Sequence, residues 1–228
     1  MKELPQTTLT SRFGHAADEV AEQLRIWARE GQLSSGEHLR QDEIAAALGV
    51  TRVPVREAFK ILVAEGLLTH EPNRGHFVAR LDGSEFTQVY WMRRVLEEEL
   101  TRTMKMPDAK YIRELRAIND KMRAASARQL REVVSRNREL HFRLFELSPQ
   151  RVILRELGRL WDLTDQYRAL HLYKEGVAER LTMEHDEMLD ALEEGDREKY
   201  WRLLDEHRAR GELAIAELTR VVEEGPAS

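Results

Sequence analysis

The ten residues TRVPVREAFK, positions 51–60, decide how the first third of this chain folds. Arg52, Arg56 and Lys60 stand four residues apart, and Val55, Ala58 and Phe59 fall between them, with Leu62 just beyond. At about 100° per residue the three cations drift slowly around a helix and make one exposed stripe. The apolar residues make a second stripe, able to pack on whatever precedes it. Thr51 stands where an N-cap is expected, and Pro54 lies in the first turn, where its missing N–H is no loss.

Working outward, QDEIAAALG (41–49) predicts a short helix stopped by Gly49, and the tight LGVT turn makes the pair a helix-turn-helix. An earlier helix is predicted from His15 to about Glu30 through Ala17, Val20, Leu24, Trp27 and Ala28. GQLSSGEHL, with Gly31 and Gly36, reads as a turn. GLLTHEPNRGHFVARL (66–81) reads as two short strands around a Pro-Asn-Arg-Gly turn. Residues 11–81 are thus expected to form a winged helix-turn-helix domain with Arg74 and Gly75 at the wing tip. In such a motif the second helix offers its N-terminal side chains to the DNA major groove, and arginine suits guanine edges and phosphates alike. Taken alone, a row of three cations is as often a solvated surface, so the weight of the reading rests on the wing.

The whole-chain charge, taken as an average, argues weakly against such a partner. The 228 residues carry a formal net charge of −5. Binding depends on where charge sits, and residues 51–80 hold Arg52, Arg56, Lys60, Arg74 and Arg80 against Glu57, Glu65 and Glu71. There is no cysteine, which excludes disulfides and thiolate metal sites. No apolar run is long enough to span a bilayer, and the first twenty residues lack a signal peptide's apolar stretch, so a cytoplasmic protein with no membrane partner is expected.

After Ser84 the pattern is helical throughout, with breaks near Pro107, Ala127, Ser148–Gln150, Leu172–Gly176 and Glu194–Asp196. Six helices with short connections predict an all-α antiparallel bundle over 84–223, and the whole is mainly α. Polar residues interrupt its apolar stripes. Asn137 and His141 lie on the stripe of Leu130, Val133, Val134, Leu140, Leu144 and Phe145. His185 lies among Val177, Leu181, Met188 and Leu192, and His207 in the row of Leu204, Gly211, Ala214, Ile215 and Leu218. A single inward histidine is more often a bonded core residue. Three of them on separate helices, with Asn137 one turn before the first, fit a divalent metal site, for which imidazole suits zinc, nickel, manganese or iron. Arg93 falls on the inward stripe of Val89, Tyr90, Leu96 and Leu100 with Glu97 one turn on, and Arg168 projects inward with Thr164. Arg93 is either an ion-pair partner of Glu97 or a carboxylate clamp, because a buried arginine needs a partner.

Both halves carry a resemblance. HLRQDEIAAALGVTRVPVREAFKILVAEGLLTHEPNRGHFV is similar to the DNA-binding domain of the GntR family of bacterial regulators. That resemblance implies that Thr51, Arg52 and Arg56 face DNA and that Gly75 sits at the wing tip in the minor groove; Lys60 and Arg74 extend the same cationic face. Some relatives carry a phosphate-contacting arginine in the middle helix where this sequence has Asp42. NRELH (137–141), EHDEMLDALEEGD (184–196) and EHRA (206–209), with His185 and His207 22 positions apart, resemble the FCD effector domain of the FadR subfamily. The family's aspartate and phenylalanine are here Asn137 and Leu140. An amide adds no charge, so an ion held by Asn137, His141, His185 and His207 keeps its full charge for an anionic effector. The resemblance implies a homodimeric repressor on an inverted-repeat operator in double-stranded DNA, tuned by a small carboxylate held by the metal, Arg93 and Arg168. Two alternatives are a regulator for which the ion itself is the signal, and a metal-dependent hydrolase, for which no general base stands beside the histidines.

Overall fold

The structure, a computed structural model, describes residues 5–7, 15–125, 129–172, 174 and 176–224, without the side chains of 130, 166, 169, 170 and 217–224. The expected domain start at 11–14, the break near Ala127, and the stripe positions Leu130 and Leu218 lie outside that description. The chain divides into two compact units, Met1–Leu81 and Asp82–Ser228.

The first unit runs α1 (Ala16–Arg29), β1 (His38–Leu39), α2 (Gln41–Leu48), α3 (Arg52–Ala64), β2 (Leu68–Glu71) and β3 (Gly75–Val78). Val20, Leu24 and Trp27 of α1 bury against Ile44 and Leu48 of α2 and against Val55, Ala58, Phe59 and Leu62 of α3. Gly49 ends α2 in the left-handed region at φ 66°, where a side chain is strained, and Val50 N–H returns to the Ala45 carbonyl at 3.0 Å. The residues that follow the turn, Thr51, Arg52 and Val53, are exposed to solvent.

The strands form an antiparallel sheet in the order β1-β3-β2, with His70 opposite His76 and His38 opposite Phe77. The sequence predicts β2 and β3, whereas residues 31–39, expected as a turn, end in β1. β1 has only two residues, too few for a local pattern, and owes its conformation to pairing with β3. At the wing tip Asn73 (φ 64°) and Gly75 (φ 100°) turn the chain. At φ 100° Gly75 holds a conformation in which any L side chain is strained, and a Cβ there would also push the His38 ring aside, its Nε2 being 2.8 Å away.

The second unit has six helices: α4 (Gly83–Thr103), α5 (Ala109–Ala125), α6 (Leu130–Phe145), α7 (Arg151–Leu172), α8 (Val177–Glu193) and α9 (Arg197–Glu224). Asp82 starts α4 with a capping box, accepting the Glu85 N–H at 2.8 Å while Glu85 accepts the Asp82 N–H at 3.1 Å. Its interior is two apolar clusters. One joins Leu140, Leu144 and Phe145 of α6 to Trp161, Met188, Leu192, Tyr200 and Leu204. The other joins Met122, Val133, Val134, Leu172, Val177 and Leu181. On α6 and α8 the residues between the clusters are Asn137, His141 and His185, all buried.

Phe59 is fully buried at the junction of α3 with the wing, its ring 4.9 Å from that of His76. Phe59→Ala should cost the first unit about 3–5 kcal/mol. Urea unfolding of the full chain should show one transition moved to lower denaturant and the other unchanged.

Candidate functional site

The first unit presents an exposed cationic face. Arg52, Arg56, Lys60 and Arg74 have side chains 71%, 59%, 64% and 69% exposed. Thr51 occupies the N-cap of α3, yet its side chain makes no capping hydrogen bond. Val53, which the sequence reading passed over, is 60% exposed at the same helix start. Only its place between Arg52 and Pro54 could have flagged it.

The second unit builds its site across the gap between the two apolar clusters. His141 (α6), His185 (α8) and His207 (α9) meet with ring centroids 5.1 Å apart in each pair. One nitrogen from each lies within 4.8 Å of the others. Two of these rings are held from behind. His207 Nδ1 pairs with Glu184 Oε2 at 2.6 Å. His185 Nδ1 pairs with Asn119 Oδ1 at 3.0 Å, while the Asn119 amide donates to the Thr182 carbonyl and to Asp186. Those two acceptors fix the asparagine's orientation, so His185 must donate through Nδ1 and keeps the lone pair on Nε2. Asn119 and Glu184 were missed by the sequence reading. Asn119 did leave a signal, a buried amide in the apolar row of Ile112, Leu115, Ile118 and Met122.

What remains unpaired is informative. Asn137 Oδ1, both nitrogens of His141 and Nε2 of His185 are buried with no hydrogen-bond partner. Each such atom costs about 1–3 kcal/mol if left unsatisfied. A cation that takes lone pairs from an amide oxygen and neutral imidazoles satisfies the group together, and the donor set suits a divalent metal.

Burial, followed by the other two histidines and by Arg168 and Arg93, drives His141 well below the ordinary imidazole range. His185 is driven down by burial, then by His207 and Arg123. Both rings are therefore neutral and able to ligate near neutral pH.

The cavity beside the histidines is lined by five arginines, Arg93, Arg168, Arg180, Arg208 and Arg210, against two glutamates, Glu97 and Glu184. Arg93 is committed within the protein. It donates to Glu97 Oε1 at 3.2 and 3.3 Å and to Thr164 Oγ1 at 3.0 Å, and Trp161 Nε1 donates to the same Glu97 oxygen at 3.0 Å. The ion pair is thus the reading of Arg93 that the side-chain contacts favour over the clamp. Arg168 differs. Its guanidinium lies 3.7 Å over the Trp161 ring, its Nε has no hydrogen bond, and Asp165 stands 3.6 Å off. Burial and then the charge of Arg93 pull it below its usual value, so a nearby anion would relieve it. Arg180, Arg208, Arg210 and His171 also face the cavity and were not singled out from the sequence, because charge on a helix gives no sign of facing inward until the neighbours are placed.

His171, 6% exposed and with Nδ1 unpaired, is pushed down to about 4, chiefly by burial and then by Arg180. Its folded pKa lies below its unfolded one, so between about pH 4 and 6.5 the unfolded chain binds more protons. The stability of the metal-free second unit should therefore fall as pH drops through that window. Urea unfolding at a series of pH values measures it, and His171→Leu should flatten the slope.

Comparisons with known proteins agree with both halves. Residues 88–210 match the FCD domain family, and residues 16–78 match the bacterial regulatory proteins of the gntR family. An HTH-type transcriptional regulator from an unstable DNA locus of Streptomyces ambofaciens is 29% identical, with 72% of this chain and 70% of that protein aligned. The gluconate operon transcriptional repressor of Bacillus subtilis is 38% identical over 34% of this chain and 32% of its own. A solved GntR-type transcriptional regulator from Rhodococcus sp. RHA1 superposes with a TM-score of 0.75 at 27% identity, covering 87% of this chain and 96% of the other. The winged helix and the helical unit are two parts of one kind of molecule, and this chain belongs to the GntR family of bacterial regulators, a DNA-binding transcriptional regulator with an FCD domain.

Proposed function

We propose that this regulator is a homodimeric repressor whose affinity for an inverted-repeat operator is set by a small carboxylate bound at a divalent metal in the FCD domain. The observation that carries the reading is the buried, unpartnered set of Asn137 Oδ1, His141 and His185 Nε2 beside a cavity with an excess of arginine. Relatives named as repressors of gluconate and D-xylose operons support the repressor sign. A cytoplasmic location goes with that role, and no helix among the described residues is long and apolar enough to cross a membrane.

In this reading α3 enters the major groove. Arg52 and Arg56 reach base edges or phosphates, Thr51 brings its uncapped hydroxyl, and Lys60 contacts the backbone. Val53 is placed to meet a thymine methyl. Arg74 and Gly75 carry the wing to the minor groove. A two-fold dimer matches the two half-sites.

In the FCD domain Asn137, His141, His185 and His207 hold zinc, nickel, manganese or iron. When bound, the ion supplies a concentrated positive charge for a carboxylate oxygen. Glu184 fixes the tautomer of His207 and Asn119 that of His185, which leaves one lone pair of each ring facing the site. Arg168, lying on the Trp161 face with its Nε not hydrogen-bonded and only a 3.6 Å pair with Asp165, takes the effector's second oxygen or second acid group. Arg93 stays with Glu97 and braces Trp161 beneath Arg168.

Two measurements test this. Arg56→Ala should cost on the order of 1–3 kcal/mol at the operator without altering the FCD domain's stability. Operator binding at wild-type strength by that variant removes α3 from the recognition role. Asn137→Asp should tighten zinc or nickel binding on the order of tenfold and weaken the response to carboxylates, since part of the ion's charge is then neutralised. His185→Ala should lose metal and effector response yet keep DNA binding. Calorimetry with each metal alone, then with a panel of carboxylates, reads the opposed signs. A DNA response to metal with none to any carboxylate points instead to the ion as the signal.

A further inference from the structure

Most exposed cations of the recognition face stand next to a carboxylate. Arg40, Arg56, Lys60 and Arg74 each pair with a carboxylate one to three positions away in sequence: Glu43, Glu57, Glu57 again and Glu71. These pairs lie within one element or the turn beside it. A fifth pair is different in kind. Arg52 Nε, at the first residue of α3, meets Asp42 Oδ1 on α2.

The side chains are 71% and 61% exposed, and an ion pair so placed contributes little to stability. Its consequence lies in what Arg52 is left able to do. The guanidinium has five donors in a rigid plane. With the Nε side turned to Asp42, the terminal amino groups remain as one two-pronged edge. A guanine offers O6 and N7 to such an edge. The start of α3 also lacks an acid of its own in the first turn, and Thr51 makes no capping bond. A cation at that positive helix end is disfavoured unless a negative charge stands nearby. Asp42 is that charge, brought from the neighbouring helix across the turn at Gly49.

The same carboxylate faces anything that approaches α3. Phosphates are met by a negative group beside the arginine, and on a random duplex no base edge compensates for it. At the right base, the held edge of Arg52 repays the repulsion. We propose that Asp42 is a positioning and specificity-determining residue for DNA recognition, acting through Arg52 to orient its terminal edge and to penalise contact with backbone alone. This rests on the reading that α3 is the recognition helix.

The test uses the full chain and two duplexes, one enriched by the wild-type protein from a random library and one scrambled to the same composition. Fluorescence anisotropy is measured at several potassium chloride concentrations for wild type, Asp42→Asn, Asp42→Glu and Arg52→Ala. Asp42→Asn should bind the scrambled duplex about five- to tenfold more tightly, with a salt slope steeper by about one. It should gain little or lose at the enriched site, so the ratio of the two affinities falls at least about fivefold. Asp42→Glu should keep the wild-type ratio and slope. A purely structural role at the helix end would shift thermal stability and leave ratio and slope alone. A ratio for Asp42→Asn within about twofold of wild type, while Arg52→Ala still loses the enriched site, overturns the proposal by itself. Unchanged binding of the enriched site by Arg52→Ala overturns the recognition-helix reading and this proposal with it.

Discussion

A polar belt between two apolar clusters sets the terms for the FCD domain. Six helices contribute to it: Arg93 and Glu97 from α4, Asn119 from α5, Asn137 and His141 from α6, Thr164, Asp165 and Arg168 from α7, His185 from α8, and His207 from α9. Water is largely kept out, so every polar atom in the belt must find a partner within it or carry the penalty of desolvation. Some do: Arg93 with Glu97 and Thr164, His207 with Glu184, His185 with Asn119. Asn137 Oδ1, both nitrogens of His141, Nε2 of His185, Asp165 Oδ1 and Arg168 Nε are left without hydrogen bonds, and of these residues His141 and His185 bring ring nitrogens, with His207, within 4.8 Å of one another. The helices are packed above and below the belt by Leu144, Phe145, Met188 and Leu192 on one side and Val133, Val134 and Leu181 on the other.

The same belt places charge. Low dielectric makes Arg93 and Glu97 a strong pair, and the pair in turn anchors the Trp161 indole on which Arg168 lies. Arg168 is left with a tryptophan face and a carboxylate 3.6 Å away that makes no hydrogen bond to its Nε, which is a poor set of partners for a buried cation. An anion arriving at the metal ligands enters a space lined by an excess of arginine, where Arg168 has only the 3.6 Å pair with Asp165 to compete with it.

The winged helix solves the opposite problem. Its cations are in water and its difficulty is selectivity rather than burial. A face of unopposed arginine and lysine would hold any duplex, because phosphate attraction is independent of sequence. Glu43, Glu57, Glu71 and Asp42 bring that face close to neutrality, consistent with a chain whose net charge is negative.

Much of this was legible in the residues. The stripes in TRVPVREAFK, the stop at Gly49 and the Pro-Asn-Arg-Gly tip fixed α2, α3 and the two longer strands, since helix and turn preferences are local. The inward positions of Arg93, Asn137, His141, His185 and His207 followed from periodicity, because a helix carries its own phase. Other features had no local signature. β1 exists only as a partner of β3. Glu184 and Asn119 gain their roles from rings on other helices, and Arg93 and Arg168, alike in sequence, part company because one meets Glu97 and the other meets Trp161. Thr51 looks like a cap by residue type but leaves its side chain out of the cap, and Asp42, two residues into its own helix, finds its partner across a turn. Periodicity says which side of a helix faces inward. Only the packing of one helix on another decides what each side chain finds there.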